Sequence, residues 1–237
     1  MIGVVVPAHD EEANIADTVA CLRAASVHPA LQGEAVQLLI VLDSCSDATG
    51  AIARWQGART IAVSARNVGQ ARAVGAQQLL DEGARWLAFT DADTRVSPDW
   101  LVRQLELGAD AVCGSIGVDD WSVHGHHAES LREHFARTYT DADGHRHIHG
   151  ANLGVSAAAY VRAGGFRALA CSEDVALVEA LQASGARIAW SAAPRVSTSA
   201  RADARARGGF GDTLLAVIAA GLAAAVAPEL VIEAPAP

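Results

Sequence analysis

The chain has 237 residues, of which 51% are hydrophobic and 19% charged, with a formal net charge of −9 at pH 7. That length and apolar content predict one folded domain with a substantial core and exclude a disordered chain, while the acidic balance excludes an electrostatic footprint for nucleic acid. All 18 basic side chains are arginine, and Cys21, Cys45, Cys113 and Cys171 are widely spaced without a CxxC pair, which argues against structural zinc and a disulfide framework and fits a reducing cytoplasm.

Ile2 to Val6 is apolar throughout and ends at Pro7, the pattern of a central parallel strand; no basic stretch precedes it, so it does not read as a signal peptide. Asp10, Glu11 and Glu12 place negative charge at a helix start, and Ile15, Val19 and Leu22 form that helix's core-facing stripe. Val36 to Leu42 repeats the strand pattern and stops at Asp43, after which Ser44-Cys45-Ser46-Asp47 supplies a turn and N-cap for a helix through Trp55. Thr60 to Val63 predicts a third strand, Asn67 to Leu80 a loop and helix, and Trp86 to Phe89 a fourth strand that runs into Thr90-Asp91-Ala92-Asp93. The alternation predicts a parallel sheet with right-handed crossovers.

Two carboxylates one residue apart, at the carboxyl end of a buried strand, point into the crevice where open α/β sheets bind ligands. Hard oxygen ligands of this kind suit Mg2+ or Mn2+ bridging to the phosphates of a nucleotide. The competing reading is a turn leading into the next helix, for which Ser97-Pro98-Asp99-Trp100 carries an N-cap and a first-turn proline. That helix runs to about Leu107, and Ala109 to Cys113 is the next strand. From Gly117 to His149 the alternation fails, and the segment holds His124, His126, His127, His134, His145, His147 and His149 at spacings that match no zinc signature; solvated or acceptor-side histidines are expected. Gly150-Ala151-Asn152-Leu153-Gly154-Val155 is a small-residue loop leading into a short strand, followed by a helical turn to Gly164-Gly165-Phe166. Cys171-Ser172-Glu173-Asp174 opens a helix with the stripe Leu177, Val178 and Leu181, and Ile188-Ala189-Trp190 reads as a last short strand. Beyond Pro194, Arg201, Arg205 and Arg207 precede Gly208-Gly209-Phe210 in a segment expected to be mobile and to fold over a diphosphate. Leu214 to Ala227 is apolar but shorter than the roughly 20 residues that cross a bilayer, so a buried or membrane-surface helix is expected.

Four features fall on one sheet edge: Pro7-Ala8-His9-Asp10-Glu11-Glu12, the run Val41-Leu42-Asp43-Ser44-Cys45-Ser46-Asp47-Ala48-Thr49, Asp91-Ala92-Asp93, and Glu173-Asp174. With the looser stretch Asn67-Val68-Gly69-Gln70-Ala71-Arg72-Ala73-Val74-Gly75, they make the chain resemble the family 2 glycosyltransferases of the GT-A fold over roughly residues 2 to 190. The resemblance implies a single GT-A, Rossmann-like α/β domain with a mainly parallel central sheet flanked by helices. Its catalytic domain would span residues 1–195, with a nucleotide-binding half at about 1–115 and an acceptor-side half at about 116–195, followed by an arginine-rich flexible segment and apolar helix over 196–237. It implies further that Pro7, Ala8, Asp10 and Glu12 line the base and ribose pocket, that Asp43 accepts a hydrogen bond from the base, and that Arg72, Asp91 and Ala92 lie against the nucleotide. Asp93, with Asp91, would hold Mn2+ or Mg2+ against the diphosphate, and Gly150, Ala151 and Asn152 would face the acceptor or donor sugar. Arg201, Arg205 and Arg207 would contact the diphosphate, and Asp174, or alternatively Glu173, would be the general base of an inverting transfer.

The donor implied is a UDP-, GDP- or dTDP-sugar and the acceptor an unidentified hydroxyl. Structural alternatives stay open: Asp43 as the cap of a helix start, Asp10 as a first-turn acid, and Glu173-Asp174 as a capping pair. The sequence departs from the family at Ser44, where a second acid is common, and in the spacing of residues 67–75. Some enzymes of the GT-A fold supply a C-terminal histidine to the metal, whereas here no histidine follows His149, which leaves the third ligand open, with water as one candidate. The arginine-tryptophan motif and transmembrane helices of polymer-forming members are absent, which implies a single transfer by a cytoplasmic enzyme whose membrane contact, if any, is peripheral. A nucleotidyltransferase on a related fold is the rival enzyme, but it normally opens with a basic, glycine-rich phosphate loop where this chain has an acidic Pro7 to Glu12. A catalytically silent nucleotide-sugar binding module is the rival from another class, against which Asp93 and Asp174 both count.

Overall fold

The computed structural model describes residues 1–201 and 210–226. Among these, the strands are β1 (Ile2–Ala8), β2 (Val36–Asp43), β3 (Arg59–Val63), β4 (Trp86–Phe89), β5 (Thr94–Val96), β6 (Ala111–Gly117), β7 (Leu153–Ser156) and β8 (Ile188–Thr198). They form one sheet in the order β3-β2-β1-β4-β7-β6-β8-β5. β1 pairs in parallel with β2 and β4, and β2 with β3, so the strands expected from the alternation fill one half of the sheet. β7 enters antiparallel between β4 and β6, while β6 and β8 run parallel. The flanking helices are α1 (Ile15–Ser26), α2 (Thr49–Trp55), α3 (Val68–Asp81), α4 (Trp100–Glu106), α5 (Ala128–Thr138), α6 (Ala157–Ala163), α7 (Glu173–Ala183) and α8 (Phe210–Val226).

Successive residues of a strand point to opposite faces, and β1 feeds a core on each. Ile2, Val4, Val6 and Ala8 join Ile15, Val19 and Leu22 of α1 on one face. Val5 joins Leu39, Val41, Leu79 of α3, and Leu177, Val178 and Leu181 of α7 on the other. Burial on both faces is why β1 is apolar without alternation, and each such side chain contributes about 1.5–3 kcal/mol. α3 sits close against β1 and β2 because Gly75 faces them: a Cβ there would lie 2.6 Å from Val5 Cγ1 and 2.8 Å from Val41 Cγ2.

Four departures from the expected pattern follow β4. β8 does not stop at Trp190 but runs through Pro194 to Thr198, so the boundary drawn at residue 195 falls inside a strand. Its register against β6 jumps from Gly114↔Ser191 to Ile116↔Val196; the intervening residues bow out, which is where a strand tolerates proline, and the end of β8 pairs with β5. β5 itself is three residues long, too short to leave a periodic signature. In the histidine-rich stretch a 3-10 turn, Ser122–His127, leads into α5, whose sequence is polar because Leu131 is its only fully buried residue. α4 begins at Trp100, two residues later than expected, with the Ser97 hydroxyl donating to Asp99 Oδ1 at 2.6 Å instead of capping the helix.

α8 buries Leu214 against Trp121, Leu131 and Ala200. Among the described residues no helix is long and apolar enough to cross a membrane. All four cysteines are free thiols.

Candidate active site

β4 delivers the acid pair. Its last residue, Phe89, is fully buried, and the Asp91-Ala92-Asp93 turn that follows is closed by Thr94 N donating to Asp91 O at 3.2 Å. The Thr18 hydroxyl of α1 donates to Ala92 O at 2.8 Å. Ala92 is therefore the anchor of the turn, buried beneath α1, and the two acids diverge from it toward different arginines. Asp91 Oδ1 accepts from Arg72 Nη2 at 2.5 Å, and Asp93 Oδ2 lies 3.1 Å from Arg201 Nη2. The Asp93 side chain is 8% exposed. Burial pushes its carboxyl up to about 6 even with the Arg201 charge beside it.

Arg72 is the hub of a second group of acids. It is 3% exposed, projects from α3, and bonds Asp91 with one terminal nitrogen and Glu173 with the other. Its guanidinium also lies 5.6 Å from the centre of the Phe166 ring. Gly150 makes room for it, since a Cβ at that position would fall 2.5–2.6 Å from the guanidinium atoms. Glu173 is thus an ion-pair partner in the core of the site, and burial pushes its carboxyl up while Arg72 pulls it back only in part. Asp174, next in sequence, makes no ion pair among the described residues. Its Oδ2 accepts the Gly150 N–H and its Oδ1 the Val175 N–H, both at 2.8 Å.

The loops after β1 and β2 are tied to one another by acids. Asp10, in a left-handed conformation (φ 51°), accepts from Ser46 N at 2.7 Å and Asp47 N at 3.3 Å; Glu12 Oε2 accepts from Ala48 N at 3.0 Å. Asp43 Oδ1 accepts from Ala65 N and Arg66 N, and Oδ2 from Asn67 N, each at 2.8 Å. Burial alone would raise the Asp43 carboxyl, but those three N–H groups together hold it below the ordinary range. A carboxylate has about four acceptor positions, so Oδ2 retains one beyond this loop-holding work. Pro7 and Ala8 lie at the end of β1 in register with Val41 and Leu42. Asn152 is committed elsewhere: its amide nitrogen donates to Ser115 O at 2.8 Å and to Pro194 O, and its oxygen accepts from Trp100 Nε1 at 2.9 Å, which locks the β6–β8 bulge. Ala151, like Asn152, is buried.

Glu11 was missed in the sequence, where it is the middle member of an acid run that any helix start would favour. It is 4% exposed, and its Oε1 accepts from Arg201 Nη1 at 2.5 Å, so one guanidinium bridges Glu11 and Asp93. Two buried carboxylates sharing a cation, with only hard oxygen donors, fit Mg2+ or Mn2+. Asp10, Cys45 and Asp47 also bring ligand atoms within 4.8 Å of one another. There burial raises the Cys45 thiol, which donates to Ala8 O at 3.2 Å, and both acids already hold backbone N–H groups, so the Asp93 side suits a hard cation better. Beside Asp93, a cleft of about 220 Å3 opens between α1 and the end of β8, lined by Asn14, Asp17, Arg95, Asp119 and Arg201. Arg205 and Arg207, and most of the segment expected to close over a diphosphate, lie outside the described residues.

The fold recurs in solved structures. TarS 1-349 of S. aureus, in complex with UDP-GlcNAc, superposes with a TM-score of 0.62 at 16% identity, over 92% of this chain and 65% of that one. The mannosyltransferase PcManGT from Pyrobaculum calidifontis, in complex with GDP-Man and Mn2+, superposes at 0.60 and 16% identity over 97% and 76%. Glucosyl-3-phosphoglycerate synthase from Mycobacterium tuberculosis, with Mn2+, UDP and glucosyl-3-phosphoglycerate, superposes at 0.56 and 19% identity over 97% and 81%. The chain thus spans about two thirds of TarS 1-349, and at these identities the likeness speaks for the fold. No curated protein matches the sequence. The profile of glycosyl transferase family 2, however, matches residues 3–162, well over half of the chain and the part that contains the acid-tipped strands β1, β2 and β4. The chain belongs to glycosyl transferase family 2.

Proposed function

We propose that this enzyme transfers a sugar from a nucleoside-diphosphate donor to an acceptor hydroxyl in a divalent-cation-dependent reaction, with inversion and one transfer per encounter. The observation that carries this reading is the division of labour among five acids. Asp91 and Glu173 are neutralised by the buried Arg72, Asp93 is shared with Glu11 through Arg201, and Asp174 is oriented by two backbone N–H groups without a guanidinium.

Asp93, with Glu11 or Asp91, would hold Mn2+ or Mg2+, and the bound ion would stabilise the leaving diphosphate. The Asp43 Oδ2 position left over accepts from the base, and the loops held by Asp10 and Glu12 form the walls of its pocket. Arg201 supplies a cation that can pass from the two acids to the diphosphate, since arginine binds both groups with the same fork of donors. Asp174 removes the proton of the attacking hydroxyl as the anomeric carbon gains positive charge. Glu173 cannot serve as that base without giving up its ion pair with Arg72. UDP- and GDP-sugars are the first donors to try, because the TarS and PcManGT structures hold them.

Isothermal titration of UDP-, GDP- and dTDP-sugars with and without Mn2+ tests the reading. Binding that depends on Mn2+ and disappears in Asp93→Ala, with the melting curve preserved, is the expected result. Donor affinity unchanged in EDTA refutes the role of the cation.

A further inference from the structure

His149 ends the histidine-rich stretch, and its ring is held by a chain of bonds that leaves one nitrogen over. The Ile116 N–H in β6 donates to Tyr139 Oη at 2.8 Å, and Tyr139 Oη lies 3.1 Å from His149 Nε2. With Ile116 occupying one acceptor position of the phenol, donation from the phenol to Nε2 partners the phenol proton and leaves only an Nδ1–H over, whereas the reverse arrangement strands the proton of the buried phenol. The imidazole is thereby fixed as the Nδ1–H tautomer. Tyr139 is itself clamped, its ring stacked between His147 at 4.2 Å and Phe135 at 4.6 Å. Burial pushes the Tyr139 hydroxyl up to about 12; burial, with the neighbouring His147 and His145, holds His149 down at about 4. The phenol keeps its proton and the imidazole stays neutral at physiological pH.

The remaining donor, Nδ1–H, has no partner among the described residues. Its surroundings are those of the transfer site. His149 directly precedes Gly150, whose N–H holds Asp174 and whose Cα packs on the Arg72 guanidinium. It also lies close enough to Asp91 to feel that charge. His149 therefore stands in the loop beside the acid assigned as base and senses the acid at the end of β4, the two groups between which the proposed mechanism puts the donor's sugar.

We infer that His149 is a further substrate-contacting residue, its Nδ1–H donating to a hydroxyl of the donor's sugar, with Tyr139 as the positioning residue that decides which nitrogen carries the proton. This rests on the proposed use of a nucleotide-sugar donor. A neutral donor lacking a protein partner favours a ligand that brings an acceptor, and a site built to bond a hydroxyl discriminates against sugars that lack or invert it.

The test separates the sugar from the nucleotide. UDP, GDP and their glucose, N-acetylglucosamine and mannose conjugates are titrated calorimetrically with Mn2+, and the ratio of the plain nucleotide's Kd to that of its conjugate gives the sugar's share. An asparagine amide nitrogen falls near the Nδ1 position and a glutamine amide near Nε2, so His149→Asn keeps the donor and His149→Gln removes it. His149→Gln is expected to lower the sugar's share about tenfold while leaving the plain nucleotide's Kd unchanged, and His149→Asn to restore it. Tyr139→Phe is expected to erase the Nδ1–H preference seen in the 15N shifts of the wild-type imidazole. A sugar share that is nil in the wild type or equal in all variants, or a wild-type Nε2–H tautomer, overturns the inference. Wild-type protein that binds no nucleotide at all refutes the proposed function itself, and this inference falls with it.

Discussion

Replacing Arg72 by methionine preserves most of the side chain's volume and removes its charge. Arg72 and Glu173 are 3% and 6% exposed, so water cannot take over the solvation of the carboxylate left behind, whereas Asp91, about one third exposed, can be rehydrated. Removing one partner of a buried pair costs about 3–5 kcal/mol, most of it the penalty of the uncompensated charge. For a chain of this size that corresponds to a fall in Tm of about 6–20 °C.

The loss depends on pH in a defined direction. Burial already pushes the Glu173 carboxyl above its ordinary value of 4.5, and without Arg72 it rises further. A carboxyl whose folded pKa exceeds its unfolded one binds more protons when folded, so stability falls as pH rises through the interval between the two. Arg72→Met is therefore most damaging near pH 8 and progressively less so toward pH 5. At pH 8 the double variant Arg72→Met/Glu173→Gln recovers most of the loss. Urea denaturation at both pH values, on the single and double variants, makes the measurement. A loss below about 1 kcal/mol that is the same at both pH values, with no recovery in the double variant, would refute the account of Arg72 as a buried counter-ion.

Two further outcomes follow from the same geometry. Asp174→Asn keeps the shape that accepts the Gly150 N–H but cannot take a proton, so kcat for transfer should fall about 10²- to 10⁴-fold with donor Kd nearly unchanged; a near-normal kcat would leave Asp174 as a loop-holding residue only. Gly150→Ala forces a Cβ into the Arg72 guanidinium at 2.5–2.6 Å and should cost about 1–3 kcal/mol of stability by thermal melting, while an unchanged melting curve would show that the loop can retreat.

The parallel half of the fold is legible because its strands are largely buried on both faces, which writes β1, β4 and the Leu38 to Leu42 part of β2 as unbroken apolar runs. The acid pair is legible for the same reason, since Asp91 comes two residues after the end of a strand that has no charged residue. What the sequence does not display is pairing across long separations. Arg72 is visible in a family-like stretch, but its contact with Glu173, 101 residues away, depends on how α7 packs beside α3. Glu11 is hidden by its neighbours: three consecutive acids look alike until the turn that leads into α1 directs one inward. The second half of β8 is concealed by Pro194 and its polar residues, which are compatible with a strand only because the chain bulges there. Asn152 is drawn toward the acceptor by resemblance, yet Gly114 leaves it the space to lock the bulge instead.

The length of β8 bears on the order in which the protein can be made. β1, β2 and β3 pair through successive crossovers and β4 returns to β1, so the sheet formed by residues 2–89 can begin to fold while the rest of the chain is still being synthesised. Arg201 reaches Glu11 only after β8 has threaded between β6 and β5, and 190 residues separate the two partners. Until then Glu11 and Asp93 are acids without this counter-ion, open to solvent ions in a nascent chain. The arrival of β8 both closes the sheet and neutralises the site, so the acid centre takes its final electrostatic form late in synthesis.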